Sequence, residues 1–441
     1  MAQNKKKTLN LFYIFLITHL VLWTVVPTLV NKNLPLDLIE ALGWGSNLDW
    51  GFNKHPPGSA FFAEVFFRIF GPQDWAFYLL SQIFVIISFY VVFKLSYEFL
   101  NDLKMSIISV LLLESIFFYN FTTPEFNVNV SQLPFWTLTV YFTWKVLKKN
   151  EPNFFDLVLL GVFAAVGFYS KYLFLYLLIS IDLVLIYFIF VIKKNKFQFT
   201  YLISLEVFLL LLIPHLVWLT NNDYVTVTYG LARTGMEGAQ IFNHIINPII
   251  FVLKQIGILV PFFVLSVFLI KKFQIKINLN DKKLVFLIFV NIVPIVLVFA
   301  TLLITGTKFR TMWMTPFYLF VGLFIIYLFK NQINYKNINN FIITFIFLFL
   351  FSPFVYAYIA ILNDDKRTDY PGKEIANKVQ TEWDQNFDQP IDFVIGDEWK
   401  AGNLSYHLKS RPKWEGFLDN NKLDDAKEYI CIDDICVGTY K

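Results

Sequence analysis

The sequence predicts an α-helical polytopic membrane protein that ends in a small α/β domain, and three observations carry that prediction. Of the 441 residues, 56% are hydrophobic and only 16% charged, where a soluble domain carries about a quarter charged residues. There is too little charge to coat a water-exposed surface. Fifty-two Phe are also more than one soluble core can hide. Third, the charge is unevenly placed. Residues 363–441 hold 17 acidic and 11 basic side chains, a net of −6, whereas residues 1–362 hold 26 basic and 16 acidic ones, a net of +10. A basic apolar body (1–362) and an acidic tail (363–441) are different physical objects. This composition excludes collagen-like, disordered and disulfide-rich secreted classes. It gives no reason to expect nucleic acid, because the excess Lys sits in short loops between apolar runs.

A spanning helix needs about 20 mostly apolar residues. Eleven such runs are legible, at 9–30, 76–97, 105–121, 131–147, 155–170, 172–192, 199–219, 246–270, 284–304, 312–329 and 340–362. Lys5, Lys6 and Lys7 before the first run resemble the charged start of a signal peptide. The run is too long for a signal core and lacks a small-residue cleavage site, so it reads as a retained helix. Eleven helices place the termini on opposite sides, and the inside-positive bias then orients them. With the N-terminus cytoplasmic, Lys104, Lys145, Lys148, Lys149, Lys193, Lys194, Lys196, Lys271, Lys272, Lys276, Lys282, Lys283, Lys330 and Lys336 all fall inside. The longer loops 31–75, 122–130, 220–245 and 305–311, and the acidic tail, fall outside.

In the tail, Lys373–Phe387 has helical spacing, Ile391–Ile395 reads as a strand, Glu398–Leu408 as a helix, and Glu428–Val437 as a strand or hairpin. Cys431 and Cys436 form a disulfide if the tail is extracytoplasmic; two reduced thiols in a hairpin fit the same pattern. No Cys or His cluster has zinc spacing, and no nucleotide-binding glycine motif is present.

The first outside loop holds the chemistry. Pro35 positions a short helix on which Asp37 and Glu40, three apart, share one face. Two Trp-Gly steps (Trp44-Gly45 and Trp50-Gly51) suit the membrane–water interface. Lys54-His55-Pro56-Pro57 follows, then a second amphipathic helix from about Gly58 to Phe70. A solvated interfacial loop whose Asp caps a helix fits the pattern equally well.

These residues resemble the GT-C glycosyltransferases, and more narrowly the bacterial family-39-like group of protein mannosyltransferase and lipid A aminoarabinose transferase relatives. The resemblance rests on Pro35-Leu36-Asp37-Leu38-Ile39-Glu40, Trp44-Gly45 and Lys54-His55-Pro56-Pro57. Similar stretches continue at Trp75–Gln82, Thr123–Asn129, Ser170-Lys171-Tyr172, Pro214–Tyr229 and Lys308–Pro316, with a further one at GDEWKAGNLSYHLKSRP in the tail. It implies a GT-C fold of about eleven transmembrane helices, N-terminus in and C-terminus out, in a bacterial inner membrane. It also implies transfer of a sugar from a polyprenyl-phosphate donor to an acceptor hydroxyl of lipid A or its core, another glycolipid or a protein, on the periplasmic face.

Such a reaction needs a base for the acceptor hydroxyl and cations for the departing phosphate. Asp37 matches the family's carboxylate and is the expected base. Glu40 is a supporting residue or an exposed acid. Lys54, with His55, is the expected phosphate ligand, its partner a ligand and not a protein carboxylate. Arg310 and Lys308 would clamp the same phosphate, or Arg310 would anchor at the interface. Lys171 is a donor-site cation or a helix-end anchor. Glu125, Asn127 and Asn129 are candidate sugar or acceptor ligands, and also ordinary turn residues. His215, Asp223, Tyr229 and Arg233 are weaker candidates. Relatives often carry adjacent acids where this chain has Asp37 and Glu40 three apart, so neither a metal nor another cofactor is expected.

Glu114, Asp182, Glu206 and Lys254 fall inside the apolar runs, where lone charges are costly. A transporter or flippase would use them as a path, and an O-antigen polymerase or ligase is a further many-helix alternative. Transporters often show inverted repeats; none is visible here, and the richest polar constellation lies at the outer face, which favours an enzyme.

Overall fold

The computed structural model describes residues 2–441 apart from 193–197, 271, 364, 419–422, 424–425 and 433. Each of the eleven apolar runs is helical over most of its length, and two amphipathic helices fold between the first and second. In order, the body runs α1 (Ala2–Val30), α2 (Leu36–Gly45), α3 (Gly58–Phe70), α4 (Asp74–Leu100), α5 (Leu103–Leu111), α6 (Val128–Ser131), α7 (Leu133–Leu147) and α8 (Phe154–Ser170). It continues with α9 (Leu175–Ile186), α10 (Leu202–Asn221), α11 (Val225–Thr234), α12 (Asn243–Val267), α13 (Lys282–Thr305), α14 (Val321–Leu328) and α15 (Ile338–Leu362).

Among the described residues, seven helices are long and apolar enough to cross a membrane, and an eighth if the bent Thr311–Tyr318 and Val321–Leu328 pair is one span. The other three expected spans are shorter. The 105–121 run leaves the α-helix at Leu112 for 3-10 turns, where the buried Glu114 pairs with His19 and its backbone carbonyl accepts from the Asn120 side chain at 2.6 Å. Pro316 lies in the 3-10 half of the bent pair and lacks the N–H that would continue a helix. Helices α7 and α8 have 15 and 17 residues. The expected inside lysines Lys193, Lys194, Lys196 and Lys271 lie outside the described residues.

Aromatic rings fill the packing between α1, α4 and α15. Phe15 lies 6.1 Å from Phe89 and 5.7 Å from Phe345, centroid to centroid. Of the four charges in the apolar runs, Glu114 is buried, while Asp182, Glu206 and Lys254 are exposed on three different helices. They do not line one path.

The tail comprises α16 (Gly372–Asn386), β1 (Phe393–Ile395), α17 (Glu398–His407), β2 (Lys413–Trp414), β3 (Ala426–Ile432) and β4 (Ile435–Tyr440). Its sheet order is β2-β1-β4-β3, with β1 parallel to β2 and both other pairings antiparallel. The expected Glu428–Val437 segment is the β3–β4 hairpin, and Cys431 and Cys436 face each other across it as a disulfide. The two-residue β2 carried too little pattern to be read from sequence.

Packing runs across the compositional boundary at 362–363. Helix α17 lies on α2 where two glycines meet: a Cβ on Gly402 would come 2.9 Å from the Ile39 carbonyl oxygen, and one on Gly43 3.4 Å from the Gly402 Cα. Arg411 reinforces the contact, donating to the Leu42 carbonyl at 2.6 Å and to Glu64 at 2.8 Å, with its guanidinium 4.1 Å above the Phe67 ring. Gly402→Ala is therefore expected to push α17 off α2 and to lower the melting temperature in detergent, an overpacking cost of about 1–3 kcal/mol. Gly238→Ala faces open space and serves as the control; equal melting of the two variants would refute the close approach.

Candidate functional site

Pro35 precedes α2 with φ −62, which starts the helix two residues before Asp37. The side chain of Asp37 caps nothing. Its backbone N–H instead donates to Glu125 Oε1 at 3.1 Å, so the loop that carries Glu125 is tied to the start of α2. One turn on, Glu40 accepts from Lys54 Nζ at 2.9 Å. Lys54 also pairs with Glu398, at the start of α17, and Trp44 Nε1 donates to the same carboxylate at 3.3 Å. The Lys54 ammonium is thus shared by a carboxylate of the loop and one of the tail. This corrects the expectation that its partner is a ligand alone.

Lys171 occupies the break between α8 and the turn at Tyr172–Phe174, in extended conformation. Its Nζ donates to Asn129 Oδ1 at 2.6 Å and sits 5.1 Å from the Trp313 ring centroid. Asp37, Glu40, Lys54, His55, Asn129, Lys171 and Arg310 all line one cavity of about 700 Å³. Tyr229, Arg233, Arg367, Asp397 and Glu398 also line it.

Five expected residues stand elsewhere. Glu125 lies behind Asp37 and does not line the cavity. Asn127 caps α6, its Oδ1 accepting from the N–H groups of Asn129 and Val130 at 2.9 and 3.2 Å. Lys308 is exposed outside the cavity, its backbone N–H bonded to the Thr234 carbonyl at 3.0 Å. His215 is a buried strut between the Tyr172 hydroxyl (2.7 Å) and the Trp50 carbonyl (2.6 Å). Asp223 sits in a turn at φ 50. Glu398 and Arg367 were not singled out from sequence: in an acidic, charged tail they look like solvated charges. The docking of α17 onto α2 brings Glu398 to the site, and backbone N–H groups of Lys32 and Asn33, donating to the Thr368 carbonyl at 3.0 and 2.9 Å, hold the turn that carries Arg367.

A second, mostly apolar groove of about 480 Å³ adjoins the cavity. Leu173, Leu175, Ile179, Val227 and Leu231 line it, and it shares Lys54, His55, Lys171, Arg233 and Trp313 with the polar cavity. The cationic end of one space is therefore the mouth of the other. Among the described residues, no group of three or more His, Cys, Asp or Glu is placed to hold a metal ion.

Burial raises the Asp37 carboxyl above its ordinary range, against the pull of Lys171, Lys54, Arg367 and Arg310. Glu40 is pushed up to about 7 by burial, although Lys54 favours its charge. Glu125 is pushed up to about 8 by burial and by the Asp37 carboxylate. His55 is brought down to about 3 by burial and by Lys171, Lys54 and Arg233, which keeps its imidazole neutral. For Lys54, burial works against the charge, but Glu398 and Glu40 more than offset it and hold the ammonium charged.

A carboxyl whose folded pKa lies above its unfolded value binds a proton on folding, so its contribution to stability falls as pH rises. For Glu125 that contribution is complete below about 4.5 and lost as pH passes about 8; for Glu40 it is lost through about 7. The detergent-solubilised protein is expected to melt at progressively lower temperature from pH 5 to pH 9, by the linkage argument. Glu125→Gln, which keeps the shape but cannot ionise, should flatten the upper part of that curve. An unchanged slope in the variant would remove Glu125 as its source.

A family model described as dolichyl-phosphate-mannose-protein mannosyltransferase matches residues 54–218, a stretch that contains Lys54, His55, Asn129 and Lys171 but not Asp37. In fold, the chain is similar to ArnT from Cupriavidus metallidurans. The crystal structure of that protein bound to undecaprenyl phosphate gives a TM-score of 0.64 at 9% identity, covering 93% of this chain and 86% of that one. Its apo structure gives 0.60 at 11% identity with the same coverage. No curated protein matches the chain in sequence. The resemblance to GT-C glycosyltransferases thus holds in sequence over the matched stretch and in fold over nearly the whole chain.

Proposed function

We propose that this protein is a polyprenyl-phosphate-dependent glycosyltransferase of the bacterial inner membrane, with its active site on the periplasmic face. The carrying observation is one continuous space: a carboxylate, Asp37, facing Lys54, Lys171, Arg233, Arg310 and Arg367 in a cavity that opens into an apolar groove. An isoprenoid chain fits the groove, and its phosphate would then lie among the shared cations Lys54, Lys171 and Arg233. The matched family and the undecaprenyl phosphate bound to ArnT support that reading.

The chemistry follows from the placement. The acceptor hydroxyl oxygen forms a bond to the anomeric carbon of the donor sugar while the bond from that carbon to the phosphate oxygen breaks. The acceptor proton passes to Asp37, and the electron pair of the broken bond leaves on the phosphate. Phosphate is a weak base, so it needs cations more than an acid; each well-aimed charge that strengthens as the bond breaks lowers the barrier. The neutral His55 adds no charge of its own and can donate one N–H.

Transfer of labelled sugar from a polyprenyl-phosphate donor by the purified protein tests the reading directly. Comparing envelope glycolipids of a deletion strain by mass spectrometry names the sugar and the acceptor, whether lipid A, another glycolipid or protein. Sidedness has its own test. A reporter active only outside the cytoplasm, fused after Lys441, is expected to be active, and a cytoplasm-only reporter there to be dark. The reverse pattern would place the cavity on the wrong face for an extracytoplasmic acceptor.

A further inference from the structure

Lys254 is the twelfth residue of the 25-residue apolar helix α12, about 16 Å along the axis from its first residue at 1.5 Å per residue. Thr311, at the end of the short loop 305–311, lines the same groove as Lys254, so the ammonium on its long stem reaches the level of that loop, where lipid phosphates lie. A charge on the exposed face of an apolar helix is costly unless it has a partner. Buried Glu114 has one in His19. Lys254 takes part in none of the ion pairs formed among the described residues.

The surroundings of Lys254 form a groove of about 350 Å³ on the outside of the body. Gly257, Ile258 and Pro261 follow it on the same face of α12, at the three, four and seven spacing of a helix. Ser115 and Thr311 bring hydroxyls from the facing elements. Gly257 keeps the groove open, since nothing lies within 4 Å of where its Cβ would be. The segment 310–313 separates this groove from the polar cavity: Arg310, Met312 and Trp313 line the cavity, and Thr311 lines the groove.

We propose that this groove binds an anionic glycerophospholipid from the surrounding bilayer, with Lys254 as the counter-ion of its phosphodiester and the Ser115 and Thr311 hydroxyls beside it. One cation matches the single negative charge of a phosphodiester. The polar cavity mixes its cations with carboxylates and lies on the other side of segment 310–313, so the two sites differ in lining and in position. The bound lipid would pack against the outside of the turn that carries Arg310.

Native mass spectrometry of the full chain, released from phosphatidylcholine nanodiscs doped with phosphatidylglycerol, tests this. The wild type should retain phosphatidylglycerol selectively. Lys254→Met should lower that retention about tenfold, the loss of one charge-assisted contact, while Lys254→Arg keeps it. Gly257→Leu should also abolish retention by filling the groove with Lys254 intact. Retention of phosphatidylglycerol at the wild-type level in Lys254→Met and Gly257→Leu would overturn the site, as would equal retention of phosphatidylcholine by the wild type. Displacement by polyprenyl phosphate would give the groove to that lipid instead, and displacement by inorganic phosphate alone would make it a free-anion site; either overturns the proposal. The readout is lipid retention and not sugar transfer, so its failure and that of the transferase reading are distinguishable.

Discussion

Asp37→Asn is expected to leave a folded, membrane-inserted protein that still binds polyprenyl-phosphate sugar but transfers it about 10²–10⁴-fold more slowly, the usual contribution of a positioned base. At 1.36 kcal/mol per decade that is about 3–5 kcal/mol of barrier. The fold should survive because Asp37 holds Glu125 through its backbone N–H, which Asn retains. No side-chain cap is lost either, since α2 begins without one. What disappears is the ability to take a proton. Because burial raises the Asp37 carboxyl, the wild type should lose transfer on the acid side at a higher pH than an ordinary Asp would impose. That limb should be missing from the residual activity of Asp37→Asn. Glu40→Gln should cost less, because Glu40 already accepts from Lys54 and is half-protonated near neutral pH. Near-normal transfer by Asp37→Asn would remove it as the base, and a larger loss in Glu40→Gln would move the role one helical turn along.

The residues that could be read from sequence are those whose signal is local. Apolar length marks the membrane helices, and alternating Lys-rich loops suggest their orientation. Pro35, Asp37 and Glu40 lie within six residues, and Lys54 follows in a proline-stiffened element. Lys171 was legible as a charge splitting two apolar runs. Where length and hydropathy are not sufficient, the expectation departs from the fold. The 105–121 run turns to 3-10 around Glu114, which bonds Asn120 within the same run and His19, 95 residues away. Lys308 and Arg310 share a motif, yet only Arg310 faces the cavity. Glu398 lies in a family-like stretch of the tail but nothing local marks it as a site residue, and Arg367 has no local signal at all. The place of Glu398 depends on Gly43 and Gly402 letting α17 close on α2, and that of Arg367 on Lys32 and Asn33 bonding to the Thr368 carbonyl, long-range events that composition cannot encode.

That same closure makes Lys54→Met the second decisive variant. The Lys54 side chain keeps 21% of its surface exposed, and its two partners 10% and 5%. Removing the ammonium would leave Glu40 and Glu398 facing each other uncompensated. A wholly buried pair broken on one side costs about 3–5 kcal/mol; with Lys54 partly wet, a loss of about 2–3 kcal/mol is the reasonable scale by the same rule. The melting temperature of Lys54→Met should recover in part as pH falls, because Glu40, without Lys54 to favour its charge, takes up a proton more readily than in the wild type and relieves the repulsion. Adding Glu398→Gln should restore most of the stability at neutral pH, because the remaining amide can donate to Glu40. Transfer should not return in the double variant: the phosphate would still lack the cation at the mouth of the apolar groove, a loss of about 10²–10³-fold on the scale of one missing transition-state contact. Transfer that recovers together with stability would reduce Lys54 to a strut between loop and tail. Unchanged melting in the single variant would deny that the two carboxylates share it.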